Sequence, residues 1–354
     1  MDNHHDNKQH AAIASELLST IAPSKEPKVC TVASESPTGL GEGAAEVLAY
    51  IHSLPPAYQF PPSMVRSHRH NPYEHQVEAD VETHDKIIPA GDHTLDVRCY
   101  RPAIAHSESL PALVYFHGGG FVLGDIESYD ALLKLVCDLS QIMVISVAYR
   151  LAPETPFPGA VEDVQSAMDW VFANHQALNI DPYRVVIGGD SAGANLSLTY
   201  CQLNKNSHTF QPCSQLLIYP STLGNDRSAS RTKYSEGLLL TAPLLAWFHD
   251  NYIDKDNEND PRFNCMKASS FGALPSAFVL TAGFDPLRDE GEMLVNAMIK
   301  DGVTVRHSCY TDMFHGFINF SVIPQARNAI EECAHILRTV TQTTLPTPKI
   351  RNEK

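Results

Sequence analysis

Gly189-Asp190-Ser191-Ala192-Gly193 places a serine between two glycines, directly after the apolar run Val185-Val186-Ile187. Serine is a weak nucleophile at its own pKa, so its surroundings must activate it. A strand that turns sharply into a helix holds such a serine with its oxygen exposed above the sheet edge. The flanking glycines permit the unusual backbone angles and the close approach of strand and helix that this turn needs. The same five-residue pattern also fits a Gly/Ser-rich loop without chemistry, so the other reactive segments must decide.

A second apolar run, Leu113-Val114-Tyr115-Phe116, ends in His117-Gly118-Gly119-Gly120-Phe121. Acyl transfer passes through a tetrahedral intermediate whose oxyanion is stabilised by N–H groups already aimed at it. Consecutive glycines let a backbone come close enough to supply them, and such a segment accompanies the serine turn in lipases and esterases. A phosphate-cradling loop would be the competing reading. The Gly-x-x-x-x-Gly-Lys-Ser/Thr loop is absent, and a dinucleotide fingerprint has other spacing.

A base and an acid follow the serine. The strand-like run from Ser276 to Phe284 leads into Asp285-Pro286-Leu287-Arg288-Asp289-Glu290, and the alternating run 303–310 leads towards His315-Gly316-Phe317. The edge beyond strand ends is where open α/β sheets build their sites. Among 17 histidines, His307 lies within the run itself and His335 in the last helix, so both read as structural. Asp289 and Glu290 compete with Asp285, but Asp285 comes first after the strand, and Pro286 suits the first turn of the helix that follows.

His117-Gly-Gly-Gly-Phe-Val-Leu-Gly124, Ala148-Tyr-Arg-Leu-Ala-Pro-Glu154, Gly189–Gly193, Asp285-Pro-Leu-Arg-Asp-Glu-Gly291 and His315-Gly-Phe317 span roughly residues 80 to 340. In order and spacing they resemble the hormone-sensitive lipase family of α/β-hydrolase carboxylesterases, in its bacterial Gly-Asp-Ser-Ala-Gly branch. The resemblance implies that Ser191 is the nucleophile, His315 the base and Asp285 the carboxylate that orients it. It also implies an oxyanion hole made of the N–H groups of Gly118, Gly119 and Ala192. One departure is Ala194, where the family usually carries another glycine. Such an enzyme needs no cofactor and no metal, and its partner is a small-molecule ester.

The elements that must position these groups alternate. Expected strands at 95–100, 112–116, 142–148, 184–188, 214–219, 276–282 and 303–310 are separated by helices that include 159–176 and 288–301, with a last one at 325–341. Such βα alternation implies an α/β fold, with a mostly parallel central sheet covered by helices on both faces. The sheet begins near residue 79, preceded by a short helix within 41–53. More than fifty residues interrupt the alternation between Tyr219 and Ser276. They contain a helix start at Thr241 and the apolar set Leu244, Leu245, Trp247, Phe248 and Tyr252. This helix is either ordinary core or, with the N-terminal segment, a cap; an insertion after a strand end sits on the catalytic edge, which favours the cap. The expected division is 1–78 as tail and part of the helical cap, 79–220 as first core segment, 221–262 as cap insertion, 263–342 as second core segment and 343–354 as C-terminal tail.

Composition narrows the partners. A net charge of −15 argues against nucleic acid and anionic membrane surfaces. Eight cysteines lack the spacing of a zinc site or a disulfide framework, and Cys99 and Cys309 fall in expected strands. No stretch approaches the ~20 apolar residues of a membrane span, and the polar start Met1–Lys8 lacks a signal-like apolar run, so a cytoplasmic location is the expectation. His4, His5 and His10 read as a solvated tail, and His68, His70 and His75 as loop. A homodimer through strand 303–310 is geometrically open if that strand is the sheet edge. A non-catalytic receptor on the same fold, or amide, thioester or lactone hydrolysis, are the alternative functions.

Overall fold

The computed structural model describes residues 39–342 apart from 69–70, 76, 104–108 and 208–209. The N-terminal histidine cluster, His70 and the C-terminal tail therefore lie outside the described residues. Eight strands form one sheet: β1 (Val81–Ala90), β2 (His93–Pro102), β3 (Leu110–Phe116), β4 (Met143–Ala148), β5 (Ile180–Asp190), β6 (Ser214–Ile218), β7 (Ser276–Phe284) and β8 (Val305–Phe314). Their spatial order is β1-β2-β4-β3-β5-β6-β7-β8. The β1–β2 and β2–β4 pairings are antiparallel and the rest parallel.

Described helices are α1 (Ala44–Ser53), α2 (Pro62–His68), α3 (Ile126–Ser140), α4 (Gly159–Ala173), α5 (His175–Leu178), α6 (Ala192–Asn204), α7 (Ala229–Lys233), α8 (Ala242–Tyr252), α9 (Arg288–Lys300) and α10 (Pro324–Thr341). The sheet divides the core in two. Val114, Phe116, Ile145 and Ile187 pack on one face with buried residues of α4, α6 and α9. Leu113, Val144, Val186 and Leu216 pack on the other with α3 and α10. This two-sided burial explains the uninterrupted apolar runs of the central strands. Val185, Val186 and Ile187 are at most 1% exposed, and each such side chain stabilises the fold by about 1.5–3 kcal/mol.

Local chemistry sets the helix ends. Asp125 and Ser128 form a capping box at the start of α3, and Thr241 caps α8 by accepting from the Leu244 N–H. Two expectations change. The helix expected over 159–176 breaks at Asn174 into α4 and α5. Residues read as loop around His68 include the helix α2, in which His68 is the last residue. His75 is buried and shares a hydrogen bond with the Ile318 carbonyl, so this segment braces the loop beyond His315.

Two buried histidines predict an acid response. Desolvation pushes His249 on α8 down to about 4, helped by the charge of Arg231, and burial does the same to His307 on β8. The folded chain therefore refuses protons that the unfolded chain accepts from about pH 6.5 downward. Their contribution is fully present above pH 6.5 and is lost as the pH falls to about 4. The thermal midpoint should drop across that window, and His307→Gln should make the drop shallower; an unchanged slope in the variant would contradict the assignment.

Candidate active site

Strand register delivers the reactive groups to one edge. Phe116 on β3 pairs with Gly189 on β5, and Asp190 pairs with Ile218 on β6. On the other side Phe284 pairs with Phe314 beyond a bulge in β7–β8. Asp285 and His315 are the next residues, so each leaves its strand at the same level. β8 extends to Phe314, four residues past its expected end, which brings His315 to the rim.

Ser191 sits between β5 and α6 with φ 55° and ψ −114°, a left-handed backbone that a non-glycine residue adopts only under constraint. The constraint is visible. The Ser191 N–H donates to the Ile218 carbonyl at 2.8 Å, while its carbonyl accepts from Asn195 and Ser221. Gly193 passes so close to the carbonyl of Phe116 that a Cβ there would collide with it. The nucleophile turn is thus packed against the point where β3 enters the glycine loop.

The three expected groups come together. Ser191 Oγ lies 3.0 Å from His315 Nε2, and His315 Nδ1 lies 2.7 Å from Asp285 Oδ2. Asp285 is fully buried and His315 is 6% exposed. The second Asp285 oxygen accepts the Leu287 N–H at 2.7 Å, which fixes the carboxylate. Pro286 precedes α9, which begins at Arg288, rather than occupying its first turn. The Tyr219 ring packs on the His315 ring with centroids 4.6 Å apart.

Competing groups are engaged elsewhere. Asp289 accepts from the Ser230 N–H and from Arg288. Glu290 is fully buried, paired with Arg231 at 2.7 Å, and accepts the N–H groups of Thr222 and Leu223. Arg231 also donates to the carbonyls of Gly224 and Asp226. His307 bonds Thr281 within the sheet, and His335 lies in α10.

The expected oxyanion hole needs one correction. The Gly118 N–H donates to Asp190 Oδ1 at 2.8 Å and to the Tyr129 hydroxyl at 3.1 Å, so it is already spent inside the protein. The N–H groups of Gly119 and Ala192 have no protein acceptor among the described residues, nor has that of Gly120, which the sequence reading left out. Gly119 and Gly120 both have positive φ, 116° and 63°, so the loop turns its amides away from ordinary pairing.

The α8 helix lies over this loop. The Phe248 ring packs on Gly120, Tyr252 stacks on Phe121 at 4.0 Å, and the Tyr252 carbonyl accepts the Phe157 N–H. Phe248 and Tyr252 are buried, whereas Leu244, Leu245 and Trp247 remain partly exposed. Among the described residues no group of three or more His, Cys, Asp or Glu could hold a metal ion, and no helix is long and apolar enough to cross a membrane.

An eight-stranded, mostly parallel sheet with a serine, histidine and aspartate on one rim is the architecture of a hydrolase, and comparison with known proteins agrees. A family profile described as alpha/beta hydrolase fold matches residues 113–319. Carboxylic ester hydrolase LipN of Mycobacterium tuberculosis is 39% identical over 251 residues, covering 69% of this chain and 66% of LipN. Carboxylesterase NlhH of the same organism is 35% identical over 66% of this chain and 75% of its own. The structure of an ester-hydrolase from the metagenome of Lake Arreo superposes with a TM-score of 0.81 at 31% identity, covering 86% of this chain and all of that one. The chain belongs to the α/β-hydrolase family, in its hormone-sensitive-lipase-like group.

Proposed function

We propose that this chain is a serine carboxylesterase that hydrolyses small, short- to medium-chain esters through an acyl-enzyme. The observation that carries this is the continuous relay Asp285–His315–Ser191, with contacts of 2.7 and 3.0 Å, on a strained turn beside unpaired amides. His315 Nε2 takes the Ser191 proton as Oγ attacks the ester carbonyl, and Asp285 holds the imidazole in the tautomer that makes this possible. Gly119, Gly120 and Ala192 offer their N–H groups to the oxyanion. The protonated His315 then delivers the proton to the departing alcohol. Water attacks the acyl-enzyme with His315 acting as base again, which frees the acid and restores Ser191. Acidification protonates His315 and removes this base, so activity falls with pH.

The α8 helix and the N-terminal segment form a cap in this reading: residues 1–78 as tail and part of the cap and 221–262 as the insertion, set on core segments 79–220 and 263–342. The partly exposed Leu244, Leu245 and Trp247 supply an apolar wall of limited size for the acyl or alcohol group. A cap of this kind excludes water from the reaction and narrows substrate choice. The seven described cysteines are free and buried, which suits a reducing, cytoplasmic setting. β8 ends the sheet and pairs only with β7, so its outer edge is the surface for a homodimer.

A panel of p-nitrophenyl esters from acetate to palmitate, with matched amides and lactones, tests the reading. Acetate to hexanoate esters should turn over more than about tenfold faster than the palmitate ester, by differential fit of the acyl chain. A flat or reversed chain-length profile contradicts the capped short-chain site. Faster cleavage of the amides or lactones contradicts the ester assignment.

A further inference from the structure

Asp190 is the residue of the nucleophile turn for which the relay has no use, yet it is 2% exposed and heavily engaged. Its Oδ1 accepts the Gly118 N–H at 2.8 Å and the Tyr115 hydroxyl at 2.9 Å, and its Oδ2 accepts the Tyr129 hydroxyl at 3.0 Å. Tyr129 in turn accepts a weaker share of the Gly118 N–H at 3.1 Å, so its own hydrogen is free for Oδ2. Three donors thus converge on one carboxyl group, a set that an ionised carboxylate satisfies without loss. A buried carboxylate left short of such partners is costly, so the arrangement defines one geometry.

The contact with Gly118 is unusually close. A Cβ at position 118 would run into the Asp190 carboxylate and the Asp190 carbonyl, so only glycine lets the loop settle there. The first glycine of the run therefore serves Asp190, and the next two are left to face the substrate. Asp190 is also covalently joined to Ser191. One carboxylate therefore spans both halves of the site: the turn that carries Ser191 and the Ala192 amide, and the loop that carries the Gly119 and Gly120 amides.

We propose that Asp190 is a positioning residue for the oxyanion hole, fixing the glycine loop relative to Ser191 through its charged hydrogen bond to the Gly118 amide. Charge-assisted bonds of this kind are roughly twice as strong as neutral ones, and a donor displaced by an ångström loses much of its effect on a transition state. Burial raises the Asp190 carboxyl above its usual range, while the bonds from Tyr115, Tyr129 and Gly118 and the nearby His315 oppose this. The role matters for charge developing on the substrate oxygen and little for substrate held before reaction.

This inference rests on the esterase reading, and its test separates the two. Asp190→Asn keeps the shape but turns an amide donor towards either Gly118 and Tyr115 or Tyr129. It should lower kcat for p-nitrophenyl butyrate by about 10²-fold, comparable to a lost oxyanion donor, with KM nearly unchanged. Butylboronic acid, whose serine adduct places a tetrahedral oxygen in the hole, should bind weaker by the same factor. The rate at which diethyl p-nitrophenyl phosphate labels Ser191 should fall in parallel, and that readout stands even if the wild-type chain turns over no ester. Absence of ester turnover in wild type defeats the esterase reading alone. Should Asp190→Asn fail to fold, Tyr129→Phe removes the Oδ2 donor and should give a smaller loss with the same pattern. Turnover and labelling within about threefold of wild type in the folded variant overturn the proposal, as does a KM that rises as much as kcat falls, the mark of lost uniform binding and general distortion.

Discussion

Ser191→Ala should reduce kcat for p-nitrophenyl acetate by about 10⁴- to 10⁶-fold, with KM changed little. The side chain removed is the attacking atom, and no other hydroxyl is bonded to His315 Nε2. The turn should survive, because its restraints are backbone bonds to Ile218, Asn195 and Ser221 that alanine retains. Thermal midpoint and circular dichroism should therefore match wild type while turnover disappears. What remains is the slow background supported by the oxyanion hole and by substrate binding. A variant keeping more than about one per cent of wild-type kcat would remove Ser191 from the nucleophile's role, since loss of a triad serine costs far more.

The second large effect is expected at Asp285. In Asp285→Asn the side chain keeps its volume and its oxygen can still accept from Leu287, but an N–H₂ group then faces His315 Nδ1. That nitrogen has to accept, which places the ring proton on Nε2 and leaves nothing to receive the Ser191 proton. A loss of about 10⁴-fold in kcat at neutral pH is expected from this inverted tautomer. Asp289 and Glu290 cannot substitute, being tied to Ser230, Arg288 and Arg231. The measurement is kcat for the same ester alongside Asp289→Asn, which should stay near wild type. If Asp289→Asn proved the more damaging of the two, the acid would be misassigned.

The relay was legible because its members occupy positions that a linear pattern can mark. Ser191, Asp285 and His315 each follow an apolar strand, and parallel pairing puts such residues on one rim whatever the intervening chain does. Gly118 was misread for a complementary reason. Three consecutive glycines look alike in a sequence, and which amide is free depends on a carboxylate that only the folded β3–β5 register brings alongside. The same holds for Glu290, whose exclusion from the relay rests on Arg231, 59 residues away. β1 was hard to delimit because residues 82–87 are exposed at the sheet edge, so no burial pattern marks them. The outward edge position also explains why the antiparallel start of the sheet left little trace in hydrophobic periodicity.

Arg231 and Glu290 bear on how such a molecule could be re-engineered by exchanging parts. The insertion is joined to the core by peptide bonds at its ends and also by this buried pair, by Ser230 bonded to Asp289 and Pro286, and by Thr222 and Leu223 on the same carboxylate. A graft of another protein's segment that dropped Arg231 would strand Glu290 without its cation, a penalty of about 3–5 kcal/mol for a broken buried pair. The strain would arrive five residues from Asp285. The natural unit of transplantation is therefore the segment 222–231 together with 285–290, and a chimera cut inside it would be expected to lose its fold before it changed its substrate.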